Sequence, residues 1–119
     1  MVAWTKYKKT ARARGSLAME LFVVISTPVK SPDAVKAALP GHLAYQVKQE
    51  AAGNLALAGP LSNFSGDEMA GEGLIVYRAK SLAAAREIAE NDPMHLTRTR
   101  EFTIRRWLLN EGFLKPDIP

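Results

Sequence analysis

The stretch "ELFVVIS", residues 20–26, decides the fold. It is a nearly continuous, β-branched apolar run, the signature of a strand with apolar neighbours on both faces. Leu21, Val23 and Ile25 project to one side, and Phe22 and Val24 to the other. Downstream, "LALAGP" (55–60), "LIVYRA" (74–79) and "EFTIRRWLLN" (101–110) read as three further strands. Between the first two strands, "DAVKAALP" reads as a short helical piece ending at Pro40. "GHLAYQVKQEAAGN" continues as a helix with an apolar stripe of Leu43, Val47 and Ala51, stopped at Gly53-Asn54. After the third strand, Ser81 caps "SLAAAREIAEN", an alanine-rich helix that Pro93 ends.

The order β-α-β-β-α-β predicts an α+β, ferredoxin-like domain over residues 19–112. Two helices cover one face of a four-stranded sheet. The other face is apolar too, with Leu74 and Val76 opposing Ile75 and Tyr77, and Phe102, Ile104 and Leu108 opposing Trp107 and Leu109. An open apolar patch of that size invites a cover, most simply the same face of a second copy. The expected assembly is therefore a homodimer with sheets face to face.

Residues 1–18 form a separate arm. They hold Lys6, Lys8, Lys9, Arg12 and Arg14 and no acid. Against a net charge of +4, the rest of the chain thus carries one net negative charge. Trp4, Tyr7 and Ala11 recur at helical spacing before Gly15, which describes a basic amphipathic helix docking its aromatic stripe. Aromatics among basic residues also suit nucleic acid. Five charges on one helix are ordinarily a solvated face, however, and no nucleic-acid partner is expected. The arm and the run after it superficially mimic a secretory signal, but Glu20 interrupts the apolar stretch. No apolar run approaches a membrane span, and a cytoplasmic protein is expected. The tail, residues 113–119, contains few helix formers.

The 119-residue chain has no cysteine, which excludes disulfides, thiolate nucleophiles and Cys-based zinc sites. With two histidines, His42 and His95, neither a metal nor another cofactor is expected. No Ser-His-Asp pattern, phosphate loop or nucleotide fingerprint is present, and "GEG" at 71–73 is too short to count as one.

In their order and spacing, "GHLAYQ" with His42, "LALAGPLS" with Gly59-Pro60, the glycine-bearing loop before the third strand, "SLAAAREIAENDP" with Asp92-Pro93 and the final "FTIRRW" resemble the YciI-like (YCII-related) family. The resemblance implies a dimeric α+β barrel in which a helix histidine lies beside the aspartate of the Asp-Pro step. Carried over, those positions are His42 and Asp92. Two features depart from the family pattern. Members often carry an arginine shortly before the histidine, where this chain has "AALPGH" with Lys36 as the nearest base. The basic N-terminal helix is also an addition to the minimal domain.

As chemistry, His42 following Gly41 reads as early in its helix, where the positive helix end favours neutral imidazole. Asp92 would fix its tautomer and stabilise the imidazolium formed on proton abstraction. That pair suits cofactorless proton transfer next to a carbonyl, as in isomerisation, dehydration or dehydrohalogenation of a small enolisable acid, aromatic-derived acids included. The plainer reading makes His42 a surface helix residue and Asp92 a helix stop, in a non-catalytic ligand-binding or structural dimeric domain. Around the pair, His95 and Ser62 are candidate substrate contacts. Gly59 would allow close backbone approach, and Arg106 would hold an anion. Arg100 and Arg105 share that anion-binding chemistry, but Arg105 and Arg106 must face opposite sides of their strand.

Overall fold

The computed structural model describes residues 1–113; all of the expected tail except Phe113 lies outside the described residues. In chain order the elements are α1 (Trp4–Ala13), β1 (Met19–Pro28), α2 (Pro32–Ala51), β2 (Leu55–Ser62), β3 (Met69–Tyr77), α3 (Leu82–Glu90), α4 (Pro93–Leu96) and β4 (Arg100–Leu109). The strands make one antiparallel sheet in the order β2-β3-β1-β4. This is the ferredoxin-like arrangement that the βαββαβ pattern implies, with β1 and β3 at the centre.

Alternation along β1 separates two apolar layers. Phe22 and Val24 join Ile75, Tyr77 and Ile104 beneath the helices, packed against Ala85 and Ala89 of α3 and Met94 of α4. Leu21, Val76 and Leu109 gather on the opposite face, with Met19, Val23, Ala56 and Leu74 partly buried around them. The register explains the sorting, since Phe22 lies opposite Tyr77 and Val24 opposite Ile75 and Ile104. The helix-free face remains apolar, with Leu57 and Trp107 exposed on it.

Helix α2 differs from its sequence reading. It runs unbroken through Pro40, with Ser31 as N-cap accepting from the Ala34 amide and a proline at its start. An interior proline forfeits one helical hydrogen bond. Packing compensates, because α2 is held at several points along its length. Gly41 lies against Pro93 of α4, and the Tyr45 hydroxyl donates to the Ile88 carbonyl of α3 at 2.7 Å. The expected Leu43–Val47 stripe is exposed, and the buried residue of α2 is Gln49, whose side chain accepts from Asn54.

Helix α1 forms where expected, but docks differently. Ala11 is buried, whereas Tyr7 is exposed beside the Arg14 guanidinium. Trp4 Nε1 donates to Glu20 at 2.9 Å, and Lys8 pairs with the same oxygen at 3.3 Å. Burial would raise the Glu20 pKa. The bonds from Trp4 and Lys8, with the charges of Lys8 and Arg106, more than offset it and hold the carboxyl below its ordinary range. Among the described residues no helix is long and apolar enough to cross a membrane.

Candidate active site

Asp92 is the N-cap of α4 and is fully buried. Its backbone is extended, as the following proline requires, and Pro93 occupies the first helical position. One carboxylate oxygen, Oδ1, accepts from the Met94 amide at 3.1 Å; the other, Oδ2, lies 2.7 Å from His42 Nδ1. The stop after α3 is therefore also the mount for a carboxylate.

His42 lies in the middle of α2, not in its first turns, so no helix end acts on it. Its orientation comes from Asp92. A carboxylate only accepts, so Nδ1 of neutral His42 carries the proton and Nε2 keeps its lone pair. Gln46, one turn along α2, lies 3.4 Å from Nε2 through its amide nitrogen, which suits an accepting Nε2. The imidazole side chain is 14% exposed. The close approach that seats it comes from Gly41, where a Cβ would lie 3.4 Å from the Pro93 ring.

His42 and Gln46 border a cavity of about 380 Å³ between α2 and the β2–β3 edge of the sheet. That volume suits a small ligand. Val35, Leu39, Ile75 and Met94 supply apolar wall, and Gly59, Glu72 and Arg100 also contribute. Among the described residues, no three His, Cys, Asp or Glu side chains cluster as a metal site would require.

The other candidates divide. Gly59 lines the cavity. Ser62 is exposed at the end of β2, with its hydroxyl turned to the Asn63 carbonyl, and does not line the cavity. Arg106 is likewise elsewhere: it pairs with Glu20 at 3.5 Å beside α3. His95 is buried behind the site, with Nδ1 donating to the Ala89 carbonyl at 2.7 Å and Nε2 2.8 Å from Ser26 Oγ. Burial lowers its pKa, reinforced by the charges of His42 and Arg100 and opposed by the Ala89 carbonyl and Asp92.

The arginine that reaches the cavity is Arg100. Its Nε donates to Ser26 Oγ at 3.0 Å, and its Nη2 donates to the carbonyls of Ser26, at 2.9 Å, and Gly71. Gly71 has φ +88° and leaves a Cβ only 3.2 Å from Pro28, so a side chain there would be doubly strained. The first glycine of "GEG" thus shapes the backbone that holds an arginine. Arg100 and Arg106 share a face with Ile104, and the start of β4 is the end that lies near the Asp-Pro step.

A ferredoxin-like sheet with a helix histidine seated on the aspartate of an Asp-Pro step, beside one small cavity, defines a class of compact α+β proteins. The model of the YCII-related domain matches residues 19–108, and the chain belongs to that family. A solved structure of similar fold is 5-chloro-2-hydroxyhydroquinone dehydrochlorinase (TftG) from Burkholderia phenoliruptrix AC1100, in complex with 2,5-dihydroxybenzoquinone. It is 20% identical, with a TM-score of 0.54, over 73% of this chain and 92% of that one. No curated protein sequence matches the chain.

Proposed function

We propose that the protein is a small cofactor-independent lyase or isomerase acting on a small enolisable acid, aromatic-derived acids included, with His42 as general base and Asp92 as its orienting partner. The observation that carries this reading is the 2.7 Å bond between His42 Nδ1 and the buried Asp92 carboxylate, in an imidazole bordering the cavity. A proton on Nδ1 leaves Nε2 to take hydrogen from a carbon next to a carbonyl. The C–H electron pair passes into an enolate, and Asp92 stabilises the imidazolium formed. Returning the proton to another carbon completes an isomerisation. Expelling a β-hydroxyl, protonated by the imidazolium, completes a dehydration; expelling chloride with its electron pair completes a dehydrochlorination, after which His42 gives the abstracted proton to solvent. The neighbour of similar fold is named as a dehydrochlorinase, which supports including that last reaction.

The proposal includes a homodimer formed through the helix-free face of the sheet. Its support is the exposure of Leu57 and Trp107 on that face, beside the layer that Leu21, Val76 and Leu109 bury within the chain.

The test is a panel of enolisable acids and chlorinated hydroxyaromatic compounds, assayed with wild type, His42→Ala and Asp92→Asn. Turnover by wild type that both substitutions abolish or cut steeply is expected. Activity surviving both would remove the His42–Asp92 pair from the mechanism, and no turnover of the panel by wild type would favour the non-catalytic ligand-binding domain.

A further inference from the structure

Arg100 is partly buried, and among the described residues it forms no ion pair. A guanidinium withdrawn from water without a carboxylate partner is costly unless something satisfies it. Three hydrogen bonds do so in part, all of them to neutral oxygens. Nε is spent on the Ser26 hydroxyl, and Nη2 on the carbonyls of Ser26 and Gly71. Among the described residues Nη1, with two N–H groups, has no protein acceptor.

The hydroxyl that holds Nε is itself fixed. His95 Nδ1 donates to the Ala89 carbonyl, so neutral His95 presents a lone pair on Nε2, and the Ser26 hydroxyl must donate to it. Ser26 Oγ then has lone pairs left to accept from Arg100 Nε. The chain Arg100 → Ser26 → His95 → Ala89 runs in one direction, with each donor assigned. Ser26 is fully buried, and His95 nearly so. The guanidinium is thereby positioned before any ligand arrives, which removes part of the ordering cost of binding.

Arg100 borders the same cavity as His42, whose wall is otherwise mainly apolar. Glu72 is the acidic side chain on that wall, and it makes no ion pair with Arg100 among the described residues. We propose that Arg100 is the anion-binding residue of this cavity and that its ligands carry an ionised oxygen, a carboxylate or an acidic enol. That oxygen is received by Nη1 while the rest of the molecule lies on the apolar wall towards His42. The inference deepens the proposed function by giving the acid's charge a named receptor, and rests on that reading only for the chemistry that follows binding.

The experiment compares acids with their neutral amides by titration calorimetry: benzoate with benzamide, and 2-oxobutanoate with 2-oxobutanamide. It uses wild type, Arg100→Gln, Arg100→Lys and His42→Ala, with thermal unfolding recorded for each. Wild type is expected to prefer at least one acid to its amide by roughly tenfold or more, the scale of a charge-assisted hydrogen bond. Arg100→Gln should abolish the preference. Arg100→Lys should keep a weakened one, because a point charge cannot reproduce the anchored fork. It also serves if the glutamine variant does not fold. His42→Ala should keep the preference while losing any turnover, so failure of the catalytic reading and failure of the anion site give different results. Equal affinity of wild type for acid and amide, no binding of either acid, or a preference that persists in Arg100→Gln would overturn the proposal.

Discussion

His42 Nδ1 and Asp92 Oδ2 lie 2.7 Å apart across two helices that are fifty residues apart in sequence, while Asp92 Oδ1 caps the helix that follows it. A single carboxylate therefore carries both a local and a long-range bond, and the two can be separated by substitution. Asp92→Asn keeps a cap acceptor but offers an amide where the histidine needs a carboxylate. Asp92→Ala loses both. Urea unfolding should place the alanine variant below the asparagine variant by about 0.5–2 kcal/mol, the usual range for a lost N-cap. Equal stability of the two would show that the cap bond contributes nothing.

His95 makes stability depend on pH, with a sign that follows from its burial. In the unfolded chain it takes a proton as pH falls through about 6.5. In the folded chain its pKa is lowered, chiefly by desolvation, so it stays neutral further down. Across that window the unfolded state binds more protons, and stability falls as pH falls. Unfolding free energies between about pH 7.5 and pH 5.5, bracketing the ordinary histidine value, should show this loss in wild type and a shallower slope in His95→Gln. Identical slopes would contradict the account.

Gly41 sets how closely α2 approaches α4. A Cβ there would make ordinary contact with Pro93 at 3.4 Å, so Gly41→Ala should fit. It should also stabilise α2 by up to about 1 kcal/mol, the usual gain of alanine over glycine in a helix. Gly41→Leu should push the helices apart, lengthening the His42–Asp92 bond and lowering any activity. Thermal unfolding and assay together check both. A leucine variant with undiminished activity and wild-type stability would remove Gly41 from the account.

The helix-free sheet face predicts a self-association that charge should disrupt. Val23 is partly buried in that layer, and Trp107 is 39% exposed on it. Light scattering after size-exclusion chromatography should give a dimer for wild type, and a monomer for Val23→Glu or Trp107→Glu. A monomeric wild type, or dimers unaffected by both charges, would require another cover for the face.

The faces of β1 and β3 were legible because a two-residue period assigns each side chain to a layer without knowledge of its neighbours. The His42–Asp92 pair was legible through family resemblance and the chemistry of an Asp-Pro step. The continuity of helix α2 has no local signal, because Pro40 and Gly41 are breakers and the contacts that hold it, at Gly41 and Tyr45, are tertiary. Arg100 and Arg106 illustrate a different limit. They share one strand and one face, and alternation cannot separate them. They lie six residues, or roughly 20 Å, apart along the strand, and only the topology says which end meets the cavity. The Ser26–His95 support of Arg100 joins residues sixty-nine positions apart and has no local signature.

Hydrogen–deuterium exchange at the acidic carbon of the bound acid, followed by proton NMR in heavy water, tests the general-base role most directly. It reads proton abstraction whether or not a product forms. With an enolisable acid that the cavity binds, wild type should wash out the carbon-bound proton, and His42→Gln and Asp92→Asn should do so slower by about 10²-fold or more, the lower range for a positioned base. Exchange at the wild-type rate in both variants, or none catalysed by wild type, would contradict His42 and Asp92 as the pair that moves the proton.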